Sequence, residues 1–578
     1  MERAAVIHFA NKEYCYAVGK DTFMIRIRTK AGDMKKVVLH CQDKYITLDR
    51  WDSRQAKEMT KVASDGIYDY YEVVIRADMI CVRYFFELQG TDGEILYYGN
   101  DNFYYGLLAN VDCMFDCPSK MREEEMFIVP DWAPGSVVYQ IFPDRFAKDS
   151  GYTEEWYKQK IHYTDKFYGN LKGIIKQLDH IKDLGVDVIY MTPIFCSDSN
   201  HKYDTIDYFH IDPEFGTKED LCELVETAHE KGIRVILDAV FNHTSPKFFA
   251  FDDVKRKGEA SEYKDWYYIK EFPLKASRNT LPNYETFAYY GGMPKLNCAN
   301  PKVQDYILEV VRYWMREVHI DGWRLDVADE IGPELWRRLR REVKAINPEA
   351  LIIGEIWHFA EPQLQGDMWD SVMNYRFYDS VLGYFAYRNM NAKQFAQAQA
   401  KVRGRVHTSA YPVLWNLIDS HDTARFLHQA KETKELLKMA AAMQLLSPGM
   451  PMIYYGDEYG MTGGRDPENR RGMLWEEERQ DKDLFKWYQA LTSLRKAHPC
   501  LGRGEQNWIV TDNDEDILVA ESVYGEDKLT VVFHNQKKRA ELPEYAGKKD
   551  LLTGETFDGE LEPYSVYVFE CTDQMIIR

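Results

Sequence analysis

The sequence predicts an α/β protein built on a (β/α)8 barrel of the TIM type. An excursion domain is inserted after the third strand, and an antiparallel β domain flanks the barrel at each end. Three observations predict this. Eight short, mostly apolar runs follow one another between Val137 and Glu458, amphipathic stretches stand between several of them, and the texture on either side is short β-type runs divided by turns. Parallel strands covered on both faces read as continuous apolar runs, and alternation of strand and helix is what a parallel sheet requires.

From Met1 to about Arg122 the runs "TFMIRIRT", "KKVVLHC", "YYEVVIRA" and "MICVRYFFEL" are separated by "KAGD", "ASDG" and "GTDG". This is the pattern of a β-sandwich. After "VPDWAPG" come the barrel strand candidates "VVYQIFP", "VDVIYMTPIF", "RVILDAVFNH", "GWRLDVAD", "ALIIGEIW", "SVMNYRF", "VLWNLIDSHD" and "MPMIYYGDE". Helical patterns such as "LCELVETAHEKG", "VQDYILEVVRYWMREVH" and "LLKMAAAMQLLSPG" lie between them. Eight such units fit a closed barrel over residues 132–243 and 298–497. A doubly wound open sheet is the structural rival, but no Gly-rich phosphate fingerprint follows the first strand. Residues 244–297 are rich in Tyr, Phe, Lys and Asp without periodicity, too long for an ordinary crossover, and read as an excursion over the barrel's C-terminal rim. From 498 to 578, "ILVAESVYG", "KLTVVFHN" and "SVYVFE" restore the β texture.

Composition narrows the function. A net charge of −20 over 578 residues excludes polyanionic partners such as nucleic acid or an anionic membrane, whereas a neutral substrate is indifferent to that field. No apolar run reaches the ~18 residues of a membrane span, and "MERAAVIHFANKEYCYAV" lacks the apolar core of a signal peptide. Ten cysteines scatter without metal-ligand spacing, as in a cytoplasmic protein with reduced thiols.

Polar residues gather where predicted strands end. Asp238, Asn242 and His243 close the third strand, Arg324 and Asp326 the fourth, Glu355 the fifth, and His421 with Asp422 the seventh. Barrel enzymes place their chemistry at those ends. Each residue alone reads as a strand cap or a satisfied buried group. Several carboxylates on one rim would repel one another unless something uses them. In "DGWRLDVADE", Arg324 and Asp326 alternate onto the same side of the strand, and burial of both charges is costly unless they pair.

In this order, "DAVFNH", "GWRLDVADE", "GEIWH" and "SHD" resemble the four short regions of the α-amylase superfamily of glycoside hydrolases. "MPKLN", Met293 to Asn297, resembles the fifth region of its neopullulanase, cyclomaltodextrinase and maltogenic amylase branch. "SNHKYDTIDY", "YYGDEYGMTGG" and "DPENRRGMLW" extend the likeness along the chain. The resemblance implies a retaining hydrolase of α-1,4-glucosidic bonds in cyclodextrins, pullulan and short maltooligosaccharides, with α-1,6 cleavage or transglycosylation as secondary activities. Asp326 is then the nucleophile, Glu355 the acid/base and Asp422 the third acid. Arg324 keeps Asp326 ionised by lowering its pKa. His243 and His421 donate to the sugar, Tyr203 stacks beneath it with His201 assisting, Asp466 and Arg470 bind substrate, and Trp357 lines the acceptor side. Asp238 and Asn242 are either shapers of the site or strand-end hydrogen bonders, the latter slightly favoured.

The resemblance also implies a homodimer, in which the N-terminal domain of one subunit narrows the cleft of the other. One departure concerns calcium. Relatives carry an acidic run after "FPDRFA" and a Gly-Gly-Asp further on, where this chain reads "FPDRFAKDSGYTEEWY" and "FYGNLKG". With Asn170 in place of the aspartate, no metal and no cofactor is expected. The rivals are an oligo-1,6-glucosidase or α-glucosidase, against which "MPKLN" and the N-terminal domain count, and a non-catalytic carbohydrate-binding homologue, which would be expected to lose one of the three acids.

Overall fold

The computed structural model describes residues 1–46, 54–77, 79–108, 110–118, 126–277, 280–512 and 516–571; the expected boundary near Arg122 lies outside the described residues. By contact the chain forms two units. One is Met1–Ile128 with Ala360–Asp367 and Ala392–Tyr411; the other is Val129–Phe359 with Met368–Asn391 and Pro412–Arg578.

The first unit contains two antiparallel sheets. One orders Cys15–Gly19, Thr22–Lys30, Tyr68–Arg76 and Thr60–Ser64; the other is built around Met34–Asp43 paired with Cys81–Gly90. Phe23, Ile25 and Ile27 alternate onto one face, as do Val37 and Leu39, and Tyr84, Phe86 and Leu88, and these residues share one buried core. The helix Ala392–Arg405 joins this unit through a buried ionic cluster. Arg26 Nε donates to Glu72 Oε1 at 2.6 Å, and Arg403 donates to both oxygens of Glu72 at 3.0 and 2.9 Å. Burial alone would raise the Glu72 carboxyl; the two guanidinium groups outweigh it and hold the pKa down at about 2.

The second unit is organised by a closed parallel barrel. Its strands are β1 (Val138–Ile141), β2 (Val188–Met191), β3 (Arg234–Ala239), β4 (Gly322–Leu325), β5 (Leu351–Gly354), β6 (Ser371–Asn374), β7 (Trp415–Leu417) and β8 (Met450–Tyr454). Each of the eight apolar runs contains one of them, and nearly every strand residue is buried. The register sets Asp238 of β3 beside Arg324 of β4. Gly322 permits the close approach of β4 to β5: a Cβ there would lie 2.2 Å from the Leu351 carbonyl oxygen.

The outer helices carry the expected signals. Thr217 and Asp220 form a reciprocal capping box at the start of Lys218–Glu230. Asn300 caps Pro301–Glu317, which buries Val303, Ile307, Val310, Val311 and Trp314 at helical spacing. Residues 244–297 hold the helix Phe249–Lys257 and several short turns. The segment comes back where it departs, because the Leu296 amide donates to the Asn242 carbonyl at 2.9 Å and His243 bridges Lys295. Near the C-terminus, Glu505–Asp512, Ile517–Tyr524, Asp527–His534 and Ser565–Glu570 pair in that order as an antiparallel sheet. Among the described residues no helix is long and apolar enough to cross a membrane.

Candidate active site

Arg324 is the hub. Its side chain is fully buried, and Nη1 lies 3.0 and 2.9 Å from the two oxygens of Asp238 and 2.9 Å from Asp326 Oδ1. Nη2 stands 2.8 Å from Glu355 Oε2. One guanidinium therefore serves three buried carboxyl groups contributed by β3 and by the ends of β4 and β5.

A single positive charge cannot balance three ionised carboxylates in so dry a setting, so the cluster retains protons above the ordinary carboxylate range. Burial is the dominant cause for all three. It pushes Asp238 up to about 6 against the pull of Arg324, and it raises Asp326 and Glu355 as well. Arg324 does pull Asp326 down, as expected from the sequence, but burial and the neighbouring Glu355, Asp238 and Asp422 reverse the net direction.

The backbone after Asp326 is bent to meet Glu355. Val327 adopts φ 46° and ψ 45°, a left-handed conformation unfavourable for a β-branched residue. In this conformation the Val327 amide donates to Glu355 Oε2 at 3.0 Å.

A hydrogen-bonded chain links this cluster to the end of β7. Gln140 Nε2 on β1 donates to His421 Nδ1 at 2.6 Å, which assigns the ring proton to Nε2. Nε2 donates to the Tyr203 hydroxyl at 2.6 Å, and that hydroxyl donates to Asp238 Oδ2 at 3.0 Å. The Tyr190 hydroxyl on β2 donates to the same oxygen at 2.6 Å. Tyr203 and His421 lie parallel, ring centroids 5.5 Å apart. Burial and the nearby Arg470 hold His421 well below the usual imidazole range, so it is a neutral donor.

Asp422 stands apart from Arg324, with 31% of its side chain exposed. His421 Nε2 approaches its Oδ2 at 3.1 Å and Arg470 Nη2 its Oδ1 at 3.4 Å. Arg470 also donates through Nε to the His421 carbonyl at 2.8 Å and pairs with Asp466 at 3.2 Å. It thereby joins the loops after β7 and β8.

The remaining candidates lie around this centre. His201 is one step removed: its Nδ1 accepts from the Tyr203 amide at 3.1 Å, and burial lowers its pKa to about 4. His243 is buried against the Phe287 ring at 4.9 Å, and its Nε2 makes no well-formed hydrogen bond to protein. Burial, with Lys295 nearby, lowers it to about 3. Trp357 is 42% exposed and stacks at 3.9 Å on buried Tyr375, so it presents a free face rather than filling a core. Asn242 Nδ2 donates to Glu330 at 3.1 Å, and Lys295 bridges the Asn242 and Glu330 side chains.

Gln140, Tyr190, Tyr375 and Phe287 were not singled out from the sequence. Gln140 and Tyr190 carried a readable signal, being hydrogen-bonding residues near the C-terminal ends of otherwise apolar strand runs. Phe287 and Tyr375 carried none.

Where the sequence departs from the expected calcium loop, Asn170 Nδ2 donates to Asp149 Oδ1 at 3.0 Å and Lys176 Nζ donates to the Asp149 carbonyl at 2.8 Å. An ammonium already satisfies that oxygen, so these side chains do not fit a divalent cation. Among the described residues no three His, Cys, Asp or Glu side chains are grouped to hold a metal.

The chain matches the α-amylase catalytic domain over residues 140–480 and the α-amylase N-terminal Ig-like domain over 1–119. It is 42% identical over 576 residues to a cyclomaltodextrinase of Geobacillus thermopakistaniensis (strain MAS1), covering 98% of this chain and 97% of that one. It is 41% identical over 574 residues to neopullulanase 2 of Thermoactinomyces vulgaris, covering 96% of each. A solved structure of a cyclomaltodextrinase matches with a TM-score of 0.92 at 38% identity, over 99% of this chain and 100% of that one. With its closed barrel and its acids on the rim, this chain belongs to the α-amylase family of glycoside hydrolases.

Proposed function

We propose that the enzyme hydrolyses α-1,4-glucosidic bonds in cyclodextrins, pullulan and short maltooligosaccharides by retaining double displacement. α-1,6 cleavage and transglycosylation are secondary activities. The observation that carries this reading is the shared guanidinium: Arg324 holds Asp326 and Glu355 at 2.9 and 2.8 Å, one carboxyl on each terminal nitrogen. Two carboxyl groups in one field, retaining a proton between them, are what the reaction needs.

With the proton that the cluster retains resting on Glu355, Asp326 is the ionised partner and attacks the anomeric carbon. Glu355 gives that proton to the departing glycosidic oxygen, leaving a glycosyl ester on Asp326. Glu355, now a carboxylate, takes a proton from water. The hydroxide attacks the anomeric carbon, the ester bond breaks, and Asp326 is regenerated. Asp422, partly exposed and oriented by Arg470, grips sugar hydroxyls. Neutral His243, whose Nε2 makes no well-formed hydrogen bond to protein, hydrogen-bonds the same sugar. His421 gives its one ring proton to the Tyr203 hydroxyl and so acts by positioning Tyr203, which supports the sugar ring. Exposed Trp357 offers a stacking face on the acceptor side. Incubation with β-cyclodextrin, pullulan and maltoheptaose, followed by chromatography of the released sugars, tests this. Turnover of all three supports it, and release of glucose from isomaltose alone would replace it with an oligo-1,6-glucosidase.

We further infer a cytoplasmic homodimer whose N-terminal β domain makes the subunit contact. Exposed Val18, Ile67, Val74, Ile95 and Tyr105 on that unit support the contact, and ten thiols without a disulfide support the compartment. Light scattering at micromolar concentration should give about twice the chain mass of 67.9 kDa; a monomer would remove the dimer from the proposal.

A further inference from the structure

The second unit carries a cleft of 810 Å³ that none of the site residues lines. Arg388, Lys431, Lys537, Lys538 and Arg539 line it, with no aspartate or glutamate among the lining residues. In a chain with 93 acidic and 73 basic residues, five cations around one concavity without a carboxylate run against the composition. Like charges held together repel, and an acidic protein has ample means to neutralise them.

It does so at the margin. Arg539 pairs with Glu560 and Glu562, and Lys434, one residue beyond the lining Thr433, pairs with Asp481. Arg388, Lys431, Lys537 and Lys538 have no acidic partner among the described residues. Arg388 is nevertheless held in place, through Nη1 to the Tyr564 hydroxyl at 2.9 Å and through Nη2 to the Asn535 carbonyl at 2.8 Å. Both acceptors are neutral, so its charge stays uncompensated while its fork is fixed. That suits a planar donor for oxyanions.

The cleft also has a sugar- or base-sized apolar component. Tyr387, 55% exposed, and Tyr564 both line it, and the volume lies within the range of small-molecule sites. A neutral oligosaccharide would gain little from four free cations.

We propose that this cleft binds a small phosphate-bearing metabolite. Arg388 and the lysines take the phosphate, and Tyr387 packs against the ring that carries it. This site is separate from the hydrolytic centre and does not rest on the function proposed above.

The test is calorimetric titration of the full-length enzyme with inorganic phosphate, glucose 1-phosphate, AMP and, as the neutral control, glucose, at low and at 150 mM salt. Saturable binding of a phosphate compound with no heat from glucose is expected. The stronger of glucose 1-phosphate and AMP then identifies the carrier as a sugar or a nucleoside. A Lys537→Glu/Lys538→Glu variant should bind at least tenfold more weakly while hydrolysing its glucan substrate at the parental rate. Arg388→Gln, which keeps a donor to Tyr564, should weaken binding comparably. Absence of saturable binding by every phosphate compound at millimolar concentration would overturn the proposal. So would unchanged affinity in both variants, or glucose binding as tightly as glucose 1-phosphate.

Discussion

Asp238 and Arg324 are register neighbours on β3 and β4, and Arg324 Nη1 lies within 3.0 Å of both oxygens of Asp238. The partner that meets the arginine through both of its oxygens is thus neither Asp326 nor Glu355, although Glu355 approaches slightly closer at 2.8 Å. Asp238 also accepts from Tyr190 and Tyr203, so every polar contact it makes aims a group that points into the site. Strand-end hydrogen bonding and shaping of the site are the same role for this residue.

Asp238→Asn should therefore impair turnover without touching substrate. The amide would turn a donor toward one of three existing donors, and the arginine would lose a buried counter-charge. Leaving a buried group unpaired costs about 1–3 kcal/mol, which corresponds to roughly a ten- to hundredfold loss in kcat/KM if it falls on the transition state. Steady-state kinetics with circular dichroism would check this. A parental kcat/KM would show that Arg324 is positioned without Asp238.

The eight barrel strands were legible because a strand buried on both faces has no polar alternation to obscure it. Asp326, Glu355 and Asp422 stood out as acids at strand ends, and the roles expected of them came from the resemblance. The helix Ala392–Arg405 was not. Its apolar spacing resembles that of a barrel helix, and its place is set by Arg403 meeting Glu72 across 331 residues of sequence. The net direction of the Asp326 pKa was also beyond the sequence, since it depends on how many carboxyls share one guanidinium. That count appears only once β3, β4 and β5 are side by side.

Asp326→Asn should abolish turnover, because a neutral amide cannot form the glycosyl ester. Glu355→Gln should lose far more activity on maltooligosaccharides than on an aryl maltoside with an activated leaving group, which departs without a proton. Rates on both substrates decide it. Equal losses would remove Glu355 from the acid role.

The proton on Glu355 should give the pH profile its alkaline limb. Its carboxyl is raised by burial, with Asp422 adding to the rise and Arg324 opposing it. The acid form is therefore present below the raised value and is lost as pH climbs through it. Asp422→Asn removes a negative neighbour and should move that limb to lower pH, in whatever activity remains on an activated substrate. A limb that stays in place or moves upward would mean that a different group titrates.

Glu72 makes the first unit sensitive to acid. Its carboxyl is lowered from 4.5 to about 2, so its contribution is full above the unfolded value and fades as pH falls through the folded one. The difference corresponds to about 3 kcal/mol at neutral pH. Glu72→Gln should lower the thermal midpoint at pH 7, and the gap to the parent should close as pH approaches 2. Scans at a fixed heating rate across that range would show it. A gap independent of pH would mean that the cluster stabilises by packing alone.

Val327 permits a test of whether backbone strain serves the site. A left-handed conformation costs an L-residue about 1–2 kcal/mol, and more for a β-branched one. Glycine would remove that cost while giving up about 0.5–1 kcal/mol in chain entropy and the partial burial of the valine side chain. These terms nearly cancel, so Val327→Gly should remain within about 1 kcal/mol of the parent in denaturant unfolding. Its activity should not be preserved. The Val327 amide, 3.0 Å from Glu355 Oε2, is aimed by this turn, and a glycine would let it drift among several conformations. A several-fold fall in kcat at unchanged stability is the expected signature. If kcat stays parental, the Val327 amide is dispensable and the left-handed turn merely connects β4 to the helix that follows.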